Sequence, residues 1–522
     1  MNSTVSHKML RSDIILILMI SILALVIRLI NLGAESMWHD ETFTVQLAAN
    51  HSMTEILTNI IRLDCHPPGH VLYLRVWGLL FGFSDFSCRM SSVLPGVVTI
   101  AGIFLLAKRC CQNRIVAVLS ALFAAVSPTM IWFSQECRMH SLLIMTFTLC
   151  LIALFECISR DFRWNYRVLV IAAFISFAYM HSSSGFLILP FLYCMIFFSY
   201  GLNIRKNYKR RAVLLGMLFL VYVPWIINLF NLYALKRQMD VLSPRAMFGL
   251  AKWLVFFQAQ ISVPAKLIAG VFFFLLLTAG FFKCKKQALA GQFLYGALIV
   301  PFVTCSILTY ISPFYLPRAL VFLTVPLYIC LAVGISALTD NFNGYTSTKS
   351  AFISPLLGIS LSGSIIISLL LVSCTDCRHR RQKEQWREAV SFVAGKCQPH
   401  DGFVFFTGMN QCSFDHYFFG YETDPVHKKS EYRYFPINGN PSLEVMTDNL
   451  KTSPPATTVW VFYSHNWSDS YVDIPIRQQG FTEVNQWHGT GVVVKAFRRM
   501  EKSEDDTRVT TGAAGNRSGQ EQ

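Results

Sequence analysis

The sequence predicts a polytopic α-helical membrane protein of about eleven transmembrane helices, followed by a C-terminal α/β domain. Of 522 residues, 53% are hydrophobic, and the mean hydropathy is +0.44, too apolar for an ordinary soluble chain. The apolar residues fall in runs of about 17 to 25, the length at which a helix crosses hydrocarbon while satisfying its own backbone. After Ser373 these runs shorten, and polar residues and turn formers take over.

Taken in order, the predicted spans fall near 14–30, 91–107, 115–133, 139–157, 168–181, 184–202, 212–230, 266–282, 290–310, 319–338 and 352–373. The first follows Lys8 and Arg11 as a signal peptide would, but no A-x-A-like cleavage site comes after it, so it is read as a span. Orientation comes from the basic loops. Lys108, Arg109 and Arg114, then Arg160, Arg163 and Arg167, then Arg205, Lys206, Lys209, Arg210 and Arg211, then Lys283, Lys285 and Lys286 all lie on the side of the N-terminus. The excess of 45 Lys+Arg over 30 Asp+Glu therefore reports topology and gives no reason to invoke nucleic acid. Four regions share the opposite, outer face: the long loop 31–90, the link Ser134–Arg138, the turn around His181 and the link Ile311–Arg318. An odd number of spans sends the C-terminal region to that face as well.

This divides the chain into a membrane domain, 1–373 with outer loop 31–90, a soluble α/β domain, 374–500, and a disordered tail, 501–522. In the second part Lys383–Lys396 reads as an amphipathic helix, and Phe403–Thr407, Thr458–Tyr463 and Gly491–Phe497 read as strands. Many of the fifteen cysteines sit in apolar runs as small hydrophobes, and the Cys374/Cys377 pair has no second pair to make a metal or redox motif.

Candidate chemistry gathers in the outer segments. Asp40 and Glu41, in Trp38-His39-Asp40-Glu41, stand just beyond the first span, where a carboxylate can bind an acceptor hydroxyl and take its proton. A solvated helix N-terminus is the competing reading. In His66-Pro67-Pro68-Gly69-His70 two prolines fix a bend that presents His66. Glu136 and Arg138, in Trp132-Phe-Ser-Gln135-Glu136-Cys-Arg138-Met-His140, put opposite charges at a span end, where charges serve function or pair with each other. Arg89 is either a phosphate ligand or a snorkelling arginine. His181, in Tyr179-Met-His181, is either catalytic or structural.

Together with Arg89-Met-Ser-Ser and Leu316-Pro-Arg318-Ala-Leu, these motifs in this order resemble the GT-C glycosyltransferases. More closely, they resemble the family 39-type branch, relatives of dolichyl-phosphate-mannose protein mannosyltransferases and of the bacterial lipid A aminoarabinose transferase. Gln385-Trp386-Arg387-Glu388-Ala389 and Pro399-His-Asp401 resemble the start of the outer domain in bacterial members. The resemblance implies the GT-C fold and transfer of a sugar from a polyprenyl-phosphate donor. The acceptor would be a lipopolysaccharide, a cell-wall glycan or a protein on the periplasmic face of the inner membrane. It implies Asp40 as catalytic base, Glu41 as its neighbour and a possible acceptor or metal contact, and Glu136 as a further acidic contact. Arg138 and Arg318 would hold the carrier phosphate. Some relatives carry Lys before the two prolines, where this chain has His66, so the role of His66 is open; Arg89 and His181 remain further candidates. No ligand spacing demands a divalent metal, although Glu41, Glu136 and His66 are residue types that bind one. A lipid-linked glycan ligase or polymerase shares this chemistry. A transporter or flippase would show broken helices with polar residues near the bilayer middle and a repeat relating two halves, whereas the candidate residues here lie at one surface.

Overall fold

The computed structural model describes residues 10–63, 66–182, 184–199, 207–235, 263–284, 288–311, 317–343, 350–378, 383–406, 410–420, 432–437, 440–451, 457–464 and 470–499. The expected tail 501–522 lies outside them, as do Arg205, Lys206, Lys285, Lys286 and Leu316. The chain forms two compact units, one of Met1–Ala34 with Leu47–Arg380 and one of Glu35–Gln46 with Arg381–Gln522.

The first unit is helical: α1 (Arg11–Leu29), α2 (His39–Asn50, whose first residues belong to the second unit), α3 (Met53–Leu63), α4 (Gly69–Phe81), α5 (Asp85–Cys111), α6 (Arg114–Val126), α7 (Pro128–Ser134), α8 (His140–Ser159), α9 (Trp164–Ala178), α10 (Ser184–Phe198), α11 (Tyr208–Leu235), α12 (Val263–Cys284), α13 (Ala288–Ile311), a 3-10 turn (Pro317–Leu323), α14 (Thr324–Asn343) and α15 (Ser350–Arg378). Helices stand at each predicted span. Among the described residues, six are long and apolar enough to cross a membrane, or seven if the bent pair α6–α7 is one span. Five further apolar stretches, in α4, α9, α10, α12 and α15, count 10–17 residues among the described residues.

The bend of 58° between α6 and α7 has a covalent cause. Pro128 carries no N–H and its ring crowds the preceding turn, which favours a break, and Ser127 restarts the helix by accepting the Met130 N–H at 3.2 Å. At one end of the unit, Asp13 at the start of α1 pairs with Lys108 and, at 3.2 Å, with Arg114, while Glu156 pairs with Arg109 and Arg160. These residues belong to two of the four predicted basic loops, each of the two tied by a carboxylate.

The second unit is an α/β layer with α16 (Trp386–Ala394), β1 (Gly402–Phe406), α17 (Asn410–Phe418), β2 (Arg433–Ile437), α18 (Asn440–Lys451), β3 (Thr458–Ser464), α19 (Ser470–Gln478), β4 (Phe481–Gly489) and β5 (Val492–Arg499). The sheet order is β2-β1-β3-β5-β4, with β2, β1 and β3 parallel and β5 and β4 antiparallel. Alternation along β1 sends Phe403 and Phe405 into a core with Trp386 and Phe414, and Val404 and Phe406 into a core with Met446 and Val472. Asp401 knots the three parallel strands: its carboxylate accepts from the Thr458 N–H and the Trp460 Nε1–H, each at 3.0 Å, and its carbonyl accepts from the Arg433 N–H at 3.1 Å.

Candidate active site

In the first unit, four helix ends gather the candidates. Gly69 opens α4 against the end of α9, donating its N–H to the Tyr179 carbonyl at 3.2 Å. Any side chain there would drive a Cβ to 2.5 Å from that oxygen. This close approach sets His66, just before α4, beside His181, just after α9, with ring centroids 4.8 Å apart. His140, opening α8, lies 6.3 Å from His181 and 4.4 Å from Phe133. His181 and His140 are buried, and His66 is half-buried.

Arg138, between α7 and α8, and Arg318, in the turn before α14, both act on these rings. Desolvation holds His66 well below its usual pKa, helped by His181, Arg138, His140 and Arg318. His181 is pushed down to about 3 by desolvation and then by the two guanidiniums. The rings are therefore neutral at physiological pH, and the permanent positive charge comes from the arginines. Among the described residues, the buried Nε2 of His70 and both buried ring nitrogens of His140 have no hydrogen-bond partner.

The structure thus brings His66, His181, Arg138 and Arg318 together. Sequence reasoning passed over His140 and His70, although both stand inside the motifs that drew attention to their neighbours. Glu136 is buried two residues before Arg138, and its carbonyl accepts the Arg138 N–H at 2.8 Å. Arg89 is buried rather than snorkelling; its Nη1 donates to the Leu32 carbonyl at 3.0 Å and so fixes the chain leaving α1.

The second unit holds the acidic pair. Glu41 is fully buried, accepts from Lys383 Nζ at 3.2 Å and from the Trp38 N–H at 3.4 Å, and so serves as a tie. Asp40 is half-buried, which leaves it the more open carboxylate of the two. The segment around the pair is stitched to the remainder of its unit. The Ser36 hydroxyl donates to the Glu384 carbonyl at 2.6 Å, the His39 N–H to Glu384 Oε2 at 3.3 Å, and Gln46 Nε2 to the Cys412 carbonyl at 2.9 Å. Lys383 was another residue the sequence reading missed; it appeared only as the edge of an amphipathic helix.

Among the described residues, no group of three or more His, Cys, Asp or Glu side chains is arranged to hold a metal ion.

Residues 65–228 match the family described as dolichyl-phosphate-mannose-protein mannosyltransferase. No curated protein sequence is a significant match. Among solved structures, ArnT from Cupriavidus metallidurans in the apo state is similar with a TM-score of 0.60 at 13% identity, over 93% of this chain and 98% of that one. The same protein bound to undecaprenyl phosphate gives 0.58 at 13% identity, over 92% and 97%. The archaeal oligosaccharyltransferase AglB from Archaeoglobus fulgidus, in complex with an inhibitory peptide and a dolichol-phosphate, gives 0.55 at 12% identity, over 95% of this chain and 75% of that one. At such identities the likeness carries the fold, and the family signature lies across the helices that bring His66, Arg138 and His181 together. The chain thus carries a signature similar to that mannosyltransferase family over residues 65–228, within a fold similar to that of ArnT over 93% of its length.

Proposed function

We propose that the protein transfers a sugar from a polyprenyl-phosphate carrier to an acceptor hydroxyl of the cell envelope, at the periplasmic face of the inner membrane, with inversion at the anomeric carbon. One observation carries this reading: the His66 and His181 rings stand 4.8 Å apart at the ends of α4 and α9, within the electrostatic reach of both Arg138 and Arg318. Two fixed cations among neutral hydrogen-bonding rings suit a phosphodiester that arrives with one negative charge and leaves as a phosphate with more. The undecaprenyl phosphate on ArnT and the dolichol-phosphate on AglB support a carrier of this class.

In the reaction, the acceptor oxygen attacks the anomeric carbon as the bond from that carbon to the carrier phosphate oxygen breaks. The electron pair passes to the phosphate, where Arg138 and Arg318 stabilise it, and the acceptor proton passes to Asp40. Asp40 is assigned the base because Glu41 is committed to Lys383. Glu41 then fixes the turn that carries Asp40, and Glu136 is a further acidic contact. His66, where some relatives have Lys, donates a neutral hydrogen bond in place of a charge. Lipopolysaccharide, cell-wall glycan and protein are the candidate acceptors. An envelope glycan is favoured, because the bacterial ArnT likeness extends over 98% of that chain.

The test is label transfer by purified wild type, Asp40→Asn and Arg318→Gln in lipid, using a panel of radiolabelled polyprenyl-phosphate sugars and an envelope extract as acceptor. The proposal expects one donor class to be turned over by wild type, and losses on the order of 10²- to 10⁴-fold in folded Asp40→Asn. If no donor is turned over, the carrier assignment falls; if Asp40→Asn is as active as wild type, the base assignment falls.

A further inference from the structure

We propose that Arg28 is a positioning residue: it bridges the break at Ser127–Pro128 and thereby sets the link Gln135–Arg138, with Glu136 and Arg138 on it. The link's reading as a phosphate contact is the one proposed above; the positioning role rests on geometry within the first unit.

The absent N–H of Pro128 deprives the Ala124 carbonyl of its helical partner, and the bend opens the carbonyls that follow. In a membrane these groups need protein donors, since water does not reach them. Arg28 supplies them. Its Nη2 reaches the Ala124 carbonyl at 3.4 Å, and its Nη1 reaches the carbonyls of Ala125 at 3.0 Å and Ala24 at 3.1 Å. The hydroxyl of Ser373 takes the third exposed carbonyl, that of Val126, at 3.1 Å.

The same guanidinium also crosses the break. Its Nε donates to Ser134 Oγ at 3.1 Å, at the far end of α7, so one rigid planar fork holds both halves of the bent pair. The tie runs in the other direction too: Gln135 Nε2 donates to the carbonyls of Arg28 and Ile30, each at 2.9 Å. A guanidinium needed only to quench loose carbonyls would have no reason to reach Ser134, nor would Gln135 need to reach back. The side chain is fully buried, and the residues it fixes lead directly into Glu136, Cys137 and Arg138. A lysine offers one nitrogen and cannot hold two separated halves.

Cys137 is a native reporter, fully buried between Glu136 and Arg138. The experiment uses the full chain in detergent with Arg28→Lys, Arg28→Met and the milder Ser134→Ala and Gln135→Leu. Phe174→Ala, a packing loss in α9, serves as the destabilised control. N-ethylmaleimide labelling of the Cys137 peptide is followed by mass spectrometry, and binding of undecaprenyl phosphate by native mass spectrometry. Labelling of Cys137 should accelerate, and undecaprenyl phosphate binding should weaken, each by about tenfold or more in both Arg28 variants, with smaller changes of the same sign in Ser134→Ala and Gln135→Leu. Phe174→Ala should show neither at an equal loss of melting temperature. Unchanged labelling in Arg28→Lys, or an equal rise in Phe174→Ala, overturns the inference, and should the Arg28 variants fail to fold, the two milder variants decide it in the same way. Wild type that does not bind undecaprenyl phosphate, with Cys137 exposed by the Arg28 variants, sinks the carrier reading and leaves the positioning role standing.

Discussion

Lys383→Met removes the cation that faces Glu41. The two side chains are 9% and 0% exposed, 3.2 Å apart, so the carboxylate left behind is shielded from water and has lost its cation. Breaking a buried ion pair from one side costs about 3–5 kcal/mol, far above the roughly 0–1 kcal/mol of a surface pair. For a unit of this size that is a fall in melting temperature of roughly 6–20 °C. Thermal unfolding of the detergent-solubilised full chain, followed by tryptophan fluorescence, measures it. Adding Glu41→Gln to Lys383→Met removes the stranded charge, and the double variant should return to within about 1–2 kcal/mol of wild type. Because Asp40 precedes Glu41, Lys383→Met should also depress transfer, and the double variant should recover part of it. A single variant that loses under about 1 kcal/mol, or a double variant in which the losses simply add, would refute the buried-tie argument.

Arg318→Lys keeps the charge but not the fork, and donor KM should rise about tenfold with kcat less affected, as steady-state kinetics with the productive donor would show. Gly69→Ala pushes α4 away from the Tyr179 carbonyl, and a loss of about 1–3 kcal/mol is expected in thermal scans, together with weaker binding of undecaprenyl phosphate. His66 and His181 have depressed pKa values in the folded state. As pH falls below the ordinary value of 6.5, the unfolded chain takes up protons that the native rings refuse, so stability is full above that pH and declines below it. For His181 the decline continues towards its folded value of about 3. Melting temperature against pH should show this slope, and His181→Asn should flatten it.

Much of the first unit was readable because membrane helices announce themselves by length and basic loops mark one side. Arg138, His181 and Arg318 stood at predicted span ends, and that is where the helices gather them. His140 was obscured by falling inside an apolar run, where one histidine gives no periodic signal. Arg28 went unnoticed at the end of the first span, because its partners at Ala124, Ala125 and Ser134 are about a hundred positions away and depend on a bend that only Pro128 hints at. In the second unit the three interior strands β1, β3 and β5 were anticipated from their apolar runs, whereas both edge strands were missed. β2 carries Pro436, and β4 is mostly polar and exposed on its outer side, so neither shows the pattern of a buried strand.

The distance between Arg28 and its partners also bears on how the chain enters the membrane. Ala125 lies 97 residues after Arg28. At about 5–20 residues per second, the ribosome takes roughly 5–20 s to make the intervening chain. Throughout that interval the guanidinium has none of its acceptors on α6 or α7, and an arginine near a span end without protein acceptors is drawn to water and headgroups. The first helix must therefore wait with Arg28 drawn towards the interface or sheltered by the insertion machinery, and it settles into place only when the sixth and seventh helices arrive.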